Sequence, residues 1–247
     1  MPYVFGLALA VLFFAITYFG KHLTLFGAIL ISFAVALFGC IGLWDLLIVL
    51  FVSYGILMIV DKATNKQKGR SAKQIVSNGT PALLSVILFI LTDERIFIIV
   101  YAVGIGEVFA DSLASDIGIL SKRAPRDIIT WKRIAPGLSG GVSLLGTVVS
   151  FAASIAFGGL VYLCIDISIR ELLTIILLPF LGCIVDSVLG SRVQPKYICA
   201  MCNLCTDDKL HCKTQAKQAG GFRWIDNCAV NFISNALVCI LCFILLY

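Results

Sequence analysis

The sequence predicts an all-α polytopic membrane protein with about eight transmembrane helices and a small zinc-stabilised cytoplasmic loop. Hydrophobic residues make up 60% of the 247 positions, whereas only 13% are charged. Apolar runs of about 17 to 25 residues, the length that crosses a bilayer, recur along the whole chain. Because no polar stretch is long enough for a separate globular domain, we expect 1–247 to form a single membrane domain, with a Cys/His loop at 191–225 inserted between the last two helices.

Eight apolar runs define the expected helices. They cover residues 3–20, 23–41, 43–60, 76–92, 95–117, 138–165, 171–190 and 226–246. The first run lacks a basic leading segment and a small-residue cleavage pattern, so we interpret it as a retained helix and not as a signal peptide. The run at 138–165 is long for one crossing, and tilt would accommodate it.

The distribution of basic residues predicts the orientation of the chain. If the amino terminus is outside, the connections at 21–22, 61–75, 118–137 and 191–225 lie inside, and they contain 17 of the 19 Lys and Arg residues. This asymmetry is what the positive-inside rule requires. We do not expect a nucleic-acid partner, because these charges lie in short loops beside the membrane. The absence of a transit-like extension favours a prokaryotic plasma membrane.

Carboxylates collect near the inner ends of several predicted helices. Glu107, Asp111 and Ser115 are spaced four residues apart and therefore share one helical face. Acids within membrane helices are usually functional, and two carboxylates one turn apart can hold Mg²⁺ together with phosphate oxygens. The alternative is an acid that pairs with a loop arginine to fix the helix position. The catalytic candidates are Glu107, Asp111, Asp116, Asp186 and Asp226, of which Asp111, Asp186 and Asp226 are the candidate Mg²⁺ ligands.

A basic loop followed by a glycine-rich turn predicts a phosphate-binding element. Lys132 and Arg133 precede the sequence PGLSGGVS at 136–143. We expect Gly140 and Gly141 to open helix six, where free backbone N–H groups and the helix dipole would favour an anion. The alternatives are topology anchoring by the basic residues and tight helix packing through the glycines.

Several other polar residues are candidates for phosphate or nucleotide contacts. Arg70 and Lys73 precede helix four, and Asn78 is predicted to cap that helix, with a ligand role as the alternative. Near the other helix ends, the candidates are Ser115, Gln194, Asn227 and Asn231.

Four of the ten cysteines lie in the loop at 191–225, which predicts a structural zinc site. Cys199, Cys202, His211 and Cys212 have the ligand types and spacing of such a site, with Cys205 as a spare or alternative ligand. Free or redox-active thiols are the alternative. Zinc would fold a loop that is too small to bury a core of its own.

The longer motifs resemble one known family. In order, GEVFADSLASDIG, PGLSGGVS, DSVLGSRVQ, the Cys/His loop and DNCAVNFIS are similar to the transmembrane protein 19 family over about residues 69–235. The family includes the phytyl-phosphate kinase of chloroplast tocopherol synthesis. The matching positions are Asp111, Ser115, Asp116, Gly140, Gly141, Asp186, Gln194, Asp226, Asn227 and Asn231. The chain departs from the family pattern at Glu107-Val108 and at Leu138-Ser139, where Thr-Asn is common.

This resemblance implies transfer of a phosphoryl group from a nucleoside triphosphate, with CTP favoured, to an isoprenyl monophosphate of phytyl or geranylgeranyl type. We therefore expect a Mg²⁺-dependent kinase at the cytoplasmic membrane face, with Lys132 and Arg133 on the phosphates. The alternatives are a membrane transporter or lipid-binding scaffold, and a lipid nucleotidyl transferase. A transporter would place its site near mid-bilayer between repeated halves. Acids at one face and the lack of a visible repeat favour an enzyme.

Overall fold

The computed structural model describes residues 2–64 and 71–247, and these residues form a mostly helical fold, as predicted. Its helices are α1 Pro2–Phe19, α2 Leu25–Ile41, α3 Trp44–Ala63, α4 Ala72–Thr92, α5 Ile96–Gly118, α6 Leu144–Cys164, α7 Ile169–Arg192 and α8 Asn227–Leu246. Within the described residues, α3 to α8 are long and apolar enough to cross a membrane, whereas the apolar helices at Tyr3–Phe19 and Leu25–Ile41 are shorter. The count of eight spans therefore stays a prediction.

The start of α4 differs from the prediction. Ser71 caps the helix in a capping box, in which its side chain accepts from the Gln74 N–H and the Gln74 side chain accepts from the Ser71 N–H. Asn78 lies inside the helix, so the predicted cap role for Asn78 is wrong. The apolar run at 76–92 did not reveal this start, because the first turn of α4 is polar.

The start of α6 also differs. Gly137 and Gly140 have φ values of +83° and +82°, a left-handed conformation that ends any helix, and Gly141 pairs in a short strand. Ser143 then caps α6, with its side chain accepting from the Gly146 N–H at 3.1 Å. The prediction that Gly140 and Gly141 open helix six is therefore wrong, and the span at 138–165 needs no unusual tilt.

Helix α5 lies at the centre of the bundle. Its most apolar stretch is 61% buried, against 28–39% for the other five candidate spans. It packs against α3, α4, α6, α7 and α8. Small residues permit this close packing: a Cβ on Gly106 would lie 2.9 Å from the Phe157 ring of α6, and one on Gly118 would lie 3.3 Å from Gly146. The helix that carries three of the predicted acids is thus surrounded by protein.

The first two helices form a hairpin on one side of the bundle. Gly6 of α1 and Gly39 of α2 touch, since a Cβ on Gly39 would lie 2.5 Å from the Gly6 Cα. The hairpin shares a core cluster with α3 and α4, and the Phe38 ring of α2 packs edge-on against Tyr101 of α5 at 5.6 Å. None of the predicted site residues lies on this hairpin.

The two long loops contain short strands that the all-α prediction missed. In the loop between α5 and α6, β1 (Arg126–Asp127) pairs with β2 (Gly141–Val142). Between α7 and α8, β3 (Lys196–Ile198) lies between β4 (Cys205–Thr206) and β7 (Lys217–Gly220), and β5 (Leu210–His211) pairs with β6 (Thr214–Gln215). Strands of two to four residues are too short to produce an alternating pattern in the sequence.

Candidate functional site

A cleft of about 250 Å³ opens where α5 and α7 end and α6 begins. Asp111 and Ser115 of α5 line one wall, and Asp186 of α7 lines another. The segment at 136–143, which we call the glycine wall, covers a third side, and Asn227 of α8 completes the lining. The structure therefore brings together residues from four of the predicted motifs at the end of the bundle that carries most basic residues.

Three of the predicted acids, Glu107, Asp111 and Asp186, lie close together at the end of the cleft that is deepest in the bundle. Glu107 is only 3% exposed and lies behind the lining residues. Its Oε1 is 3.1 Å from the Ser234 hydroxyl, which is also 3.4 Å from Asp186 Oδ2. One hydroxyl from α8 therefore bridges carboxylates of α5 and α7, and Asp111 lies beside both on the cleft side.

An amide row connects α4 and α8 to these acids. Asn231 donates to Asp186 Oδ2 at 3.1 Å and to the Asn227 carbonyl oxygen at 2.8 Å. The side-chain amides of Asn231 and Asn78 lie 3.2 Å apart. Asn231 therefore contacts the cleft residue Asp186, and Asn78 lies next to Asn231. Asn227 itself lines the cleft.

Gly182 is a site residue that the sequence analysis missed. A Cβ at this position of α7 would lie 2.4 Å from the Glu107 Cγ, so only glycine leaves room for the buried glutamate. The available signal was a glycine one turn before Asp186 in an apolar helix, where Gly often marks close contact.

Two other predicted acids lie apart from this group. Asp116 is buried on α5 and is not part of the cleft lining. Asp226 caps α8 by accepting from the Ala229 N–H at 3.1 Å, and it forms an ion pair with Lys73 of α4. Partial burial opposes ionisation of Asp226, but the hydrogen bonds from Lys73 and Ala229 lower its pKa. Arg70, the other predicted contact beside Lys73, lies outside the described residues.

The predicted phosphate-binding cations are not those that reach the cleft. Lys132 and Arg133 are exposed in the segment between β1 and β2, where the Lys132 carbonyl oxygen accepts from the Asp127 N–H at 2.9 Å. Among the loop cations, Arg123 lines the cleft instead. In the sequence Arg123 was one of five similar charges, and only the fold of the loop distinguishes it. Gln194 is buried after α7, outside the lining.

The glycine wall is fixed firmly against α7. A Cβ on Gly140 would lie 2.5 Å from the Ser191 Cα, so the two backbones are in contact. The Ser191 hydroxyl donates to Asp127 Oδ2 at 2.6 Å, and Oδ1 accepts from the N–H groups of Thr130 and Ile129. Partial burial favours the neutral form of Asp127 and raises its pKa, but these hydrogen bonds outweigh the burial and lower the pKa of Asp127 to about 2. The loop at 119–143 is therefore held by an ionised carboxylate.

A second set of contacts joins the glycine wall to the loop between α7 and α8. Asp207 Oδ2 accepts from the Ser139 N–H at 2.8 Å and from its hydroxyl at 2.5 Å. Lys196 donates to Asp207 Oδ1 at 2.8 Å and to the Ser139 carbonyl oxygen at 2.6 Å. Three residues thus close a polar ring between the two loops.

The loop between α7 and α8 also contains a candidate metal centre. The ligand atoms of Cys199, Cys202, His211 and Cys212 all lie within 4.8 Å of one another. The Cys202 and Cys212 sulfurs are 3.9 Å apart, and His211 Nδ1 lies 3.5 and 3.4 Å from them. Tetrahedral zinc with bonds of about 2.3 Å to sulfur and about 2.0–2.1 Å to nitrogen requires separations of about 3.5–3.8 Å.

The environment of Cys199 also suits a cation ligand. Hydrogen bonds from the Cys202 N–H and from His211 favour its thiolate and lower the pKa of Cys199 to about 6. Cys205 is exposed and lies outside the cluster of four.

Comparisons with known proteins agree with the membrane fold. The profile of the family described as "Integral membrane protein DUF92" matches residues 8–239. Protein PGR of Arabidopsis thaliana is 30% identical over 138 residues, which cover 51% of this chain and 47% of PGR. An uncharacterized membrane protein of Methanocaldococcus jannaschii is 29% identical over 129 residues, covering 52% of this chain and 53% of the relative. The match thus spans about half the length of these relatives. No solved structure matches the chain.

Proposed function

The chain belongs to the DUF92 family of integral membrane proteins, and from this membership and the geometry of the cleft we propose that it is a Mg²⁺-dependent isoprenyl-monophosphate kinase. The family match confirms the membership that the motifs indicated. In the proposed reaction, an oxygen of the isoprenyl phosphate attacks the γ-phosphorus of CTP or another nucleoside triphosphate. The bond from that phosphorus to the β-phosphate oxygen breaks, which gives an isoprenyl diphosphate and a nucleoside diphosphate.

One observation carries the proposal: Asp111, Asp186, Arg123 and the glycine wall line the same small cleft. The two carboxylates suit a hard cation, and the guanidinium suits phosphate oxygens. Phosphoryl transfer needs this combination of positioning and charge neutralisation more than it needs covalent chemistry. A phosphate acceptor is already ionised near neutral pH, so the site needs no strong general base.

The donor set fits Mg²⁺ at Asp111 and Asp186, because both side chains supply oxygen atoms and both line the cleft. The other candidate ligand, Asp226, is engaged by Lys73 and by the start of α8. When bound, Mg²⁺ would neutralise phosphate charge. The chain's own part is to hold Asp186 in place: Ser234 and Asn231 bond its carboxylate, and Glu107 lies behind it.

The lipid part of the substrate requires an apolar path from the cleft to the bilayer. Phe180 and Ile184 of α7 line the cleft, and the Phe180 ring packs against Phe151 of α6 at 5.2 Å. Phe151 is 42% exposed, as befits a side chain facing lipid. We propose that the isoprenyl chain leaves between α6 and α7 while its phosphate stays at the basic end of the bundle. By the positive-inside rule that end would face the cytoplasm.

We also propose that Cys199, Cys202, His211 and Cys212 hold a structural Zn²⁺ ion. The ligand types and the separations of the side-chain atoms support this ion over a magnesium or calcium ion, which would require oxygen donors. Zinc bound there would stabilise a loop of short strands.

The kinase proposal is tested with purified protein in detergent and Mg²⁺. Phytyl, geranylgeranyl and farnesyl monophosphates would each be supplied with CTP or ATP labelled at the γ-phosphate or in the base. We expect label from the γ-phosphate in a lipid-soluble diphosphate, and its loss in Asp111→Asn and Asp186→Asn. Asp45→Asn is the matched control, because Asp45 is an exposed acid in the first turn of α3 and does not line the cleft.

The other outcomes discriminate between function classes. If label carried by the nucleotide base is recovered in the lipid phase, the protein is a lipid nucleotidyl transferase. If folded protein transfers no label with any combination of isoprenyl monophosphate and nucleotide, the kinase and the nucleotidyl transferase are both contradicted. A transporter or a lipid-binding scaffold would then remain.

A further inference from the structure

Ser139, Asp207 and Lys196 form the polar ring, and packing of the two loops against each other would not by itself require it. The side chains of Lys196 and Asp207 are only 16% and 22% exposed. Between them they bond the N–H, the hydroxyl and the carbonyl oxygen of Ser139. Every polar group of one residue of the glycine wall is therefore bonded to the Cys/His loop.

The two ring residues of that loop are placed by its small sheet. Lys196 opens β3, and Asp207 directly follows β4. These strands pair with Tyr197 opposite Thr206 and Ile198 opposite Cys205. The distance between the Lys196 ammonium and the Asp207 carboxylate is thus set by the register of β3 and β4.

The turn between β3 and β4 also carries part of the Cys/His cluster. Strands of two to four residues bury too little surface to be stable without support. Cys199 follows β3 directly, its N–H donates to the Leu204 carbonyl oxygen at 3.0 Å, and the Asn203 N–H donates back to its carbonyl oxygen at 2.9 Å. The turn that joins β3 to β4 therefore contains two of the four candidate ligands, Cys199 and Cys202.

We propose that Lys196 and Asp207 are positioning residues that transmit cation binding at the Cys/His cluster to the glycine wall of the cleft. With the cluster occupied, the sheet holds the two side chains on Ser139 and the wall is ordered. With the cluster empty, the sheet loosens and Ser139 is released. The importance of this coupling for activity rests on the proposed function of the cleft, but the coupling itself does not.

Hydrogen–deuterium exchange of the full chain in detergent tests the coupling without any substrate. Removal of zinc from the wild type by a chelator should accelerate exchange both at 196–220 and at 136–143. Asp207→Asn with zinc bound should accelerate exchange at 136–143 by about tenfold, the loss expected for one charge-assisted hydrogen bond, and leave 196–220 protected. Removal of zinc from Asp207→Asn by the chelator should then cause little further acceleration of exchange at 136–143.

Asp208→Asn is the matched control, because Asp208 is the neighbouring acid and is exposed. It should behave as the wild type in both segments, with zinc content measured on every sample. If Asp207→Asn does not fold, Lys196→Gln replaces it, with exposed Lys209→Gln as its control; a smaller acceleration at 136–143 is then expected.

Three results would overturn the proposal: purified protein that binds no metal, chelation that leaves 136–143 unchanged, or folded Asp207→Asn or Lys196→Gln with wild-type exchange at 136–143. Lack of kinase activity in a protein that shows the coupling would contradict only the proposed function.

Discussion

Asn235 of α8 donates a hydrogen bond of 2.7 Å to Glu107 Oε2 of α5, with the two side chains 0% and 3% exposed. The same amide donates to the Gly104 carbonyl oxygen, also at 2.7 Å. Since Ser234 occupies the other oxygen of Glu107, both oxygens of this carboxylate are bonded inside the bundle. Glu107 therefore joins α5 to α8 behind the cleft acids, and its catalytic role stays a prediction.

Replacing Asn235 with alanine should destabilise the bundle. The change leaves Glu107 Oε2 and the Gly104 carbonyl oxygen without this donor, and interhelical hydrogen bonds of this kind contribute about 0.6–2 kcal/mol. Thermal unfolding in detergent should show a lower midpoint for Asn235→Ala. Ile240→Ala, at a position of the same helix that is 57% exposed, should unfold near the wild-type temperature. Equal midpoints for the two variants would contradict the role of the amide.

Gly140 and Gly137 offer a matched pair within the glycine wall. Both have left-handed φ values, but only a Cβ on Gly140 meets the backbone of Ser191. Alanine should cost about 1–2 kcal/mol at either position for the backbone conformation. Gly140→Ala should cost more, because the wall must also move away from α7. Thermal midpoints and kinase assays of the two variants check this, and similar losses in both would show that contact with α7 is unimportant.

For the proposed kinase, the cleft lining predicts which loop cation contacts the nucleotide. Arg123 lines the cleft, whereas Lys132 is exposed outside it. Arg123→Gln should raise the KM for nucleoside triphosphate by about tenfold or more, since a hydrogen bond to a charged group contributes about 1.5–3 kcal/mol. Lys132→Gln should change it less than about threefold. A larger effect of Lys132→Gln would restore the assignment that the sequence suggested.

Much of the helical fold was predictable from the sequence, because spans in a membrane are defined by composition and length. The errors occur where polar chemistry sets a boundary. Ser71 begins α4 with a polar turn, and Ser143 begins α6 after two left-handed glycines. Hydropathy does not detect either event, and the short strands of the loops leave no periodic signal.

The candidate site was predictable in its residue types but not in its pairings. The spacing of Glu107 and Asp111 places them on one helical face, yet only the packing of α7 and α8 shows that Glu107 is enclosed and that Asp186 joins them. Likewise, Asp226 resembles Asp186 in the sequence, and its pairing with Lys73 depends on where α4 lies. Contacts between distant helices carry no local sequence signal.

Asp127 should make the stability of the loop at 119–143 depend on pH. Its pKa is lowered from 3.8 to about 2 in the folded protein. A lowered carboxyl pKa contributes stability above the unfolded value, and this contribution is lost as the pH falls from about 4 towards 2. The thermal midpoint of the wild type should therefore exceed that of Asp127→Asn at pH 6, and the difference should shrink by pH 3. Ser191→Ala, which removes one of the hydrogen bonds, should show part of the same change. A difference that is independent of pH would contradict the ionised state of Asp127.

The four-ligand assignment predicts a specific pattern among the loop cysteines. Cys199, Cys202 and Cys212 lie in the cluster with His211, whereas Cys205 is exposed outside it. Purified wild type and Cys205→Ser should each contain about one zinc ion per chain by elemental analysis, while Cys199→Ser and Cys212→Ser should lose most of it, because a structural zinc site needs all four ligands. Loss of the ion should also lower the protease resistance of 196–220, since the strands there have little other support. Zinc lost equally from Cys205→Ser would mean that the fourth ligand was assigned wrongly, and metal-free wild type with an intact loop would mean that the cluster is held by hydrogen bonds among its thiols.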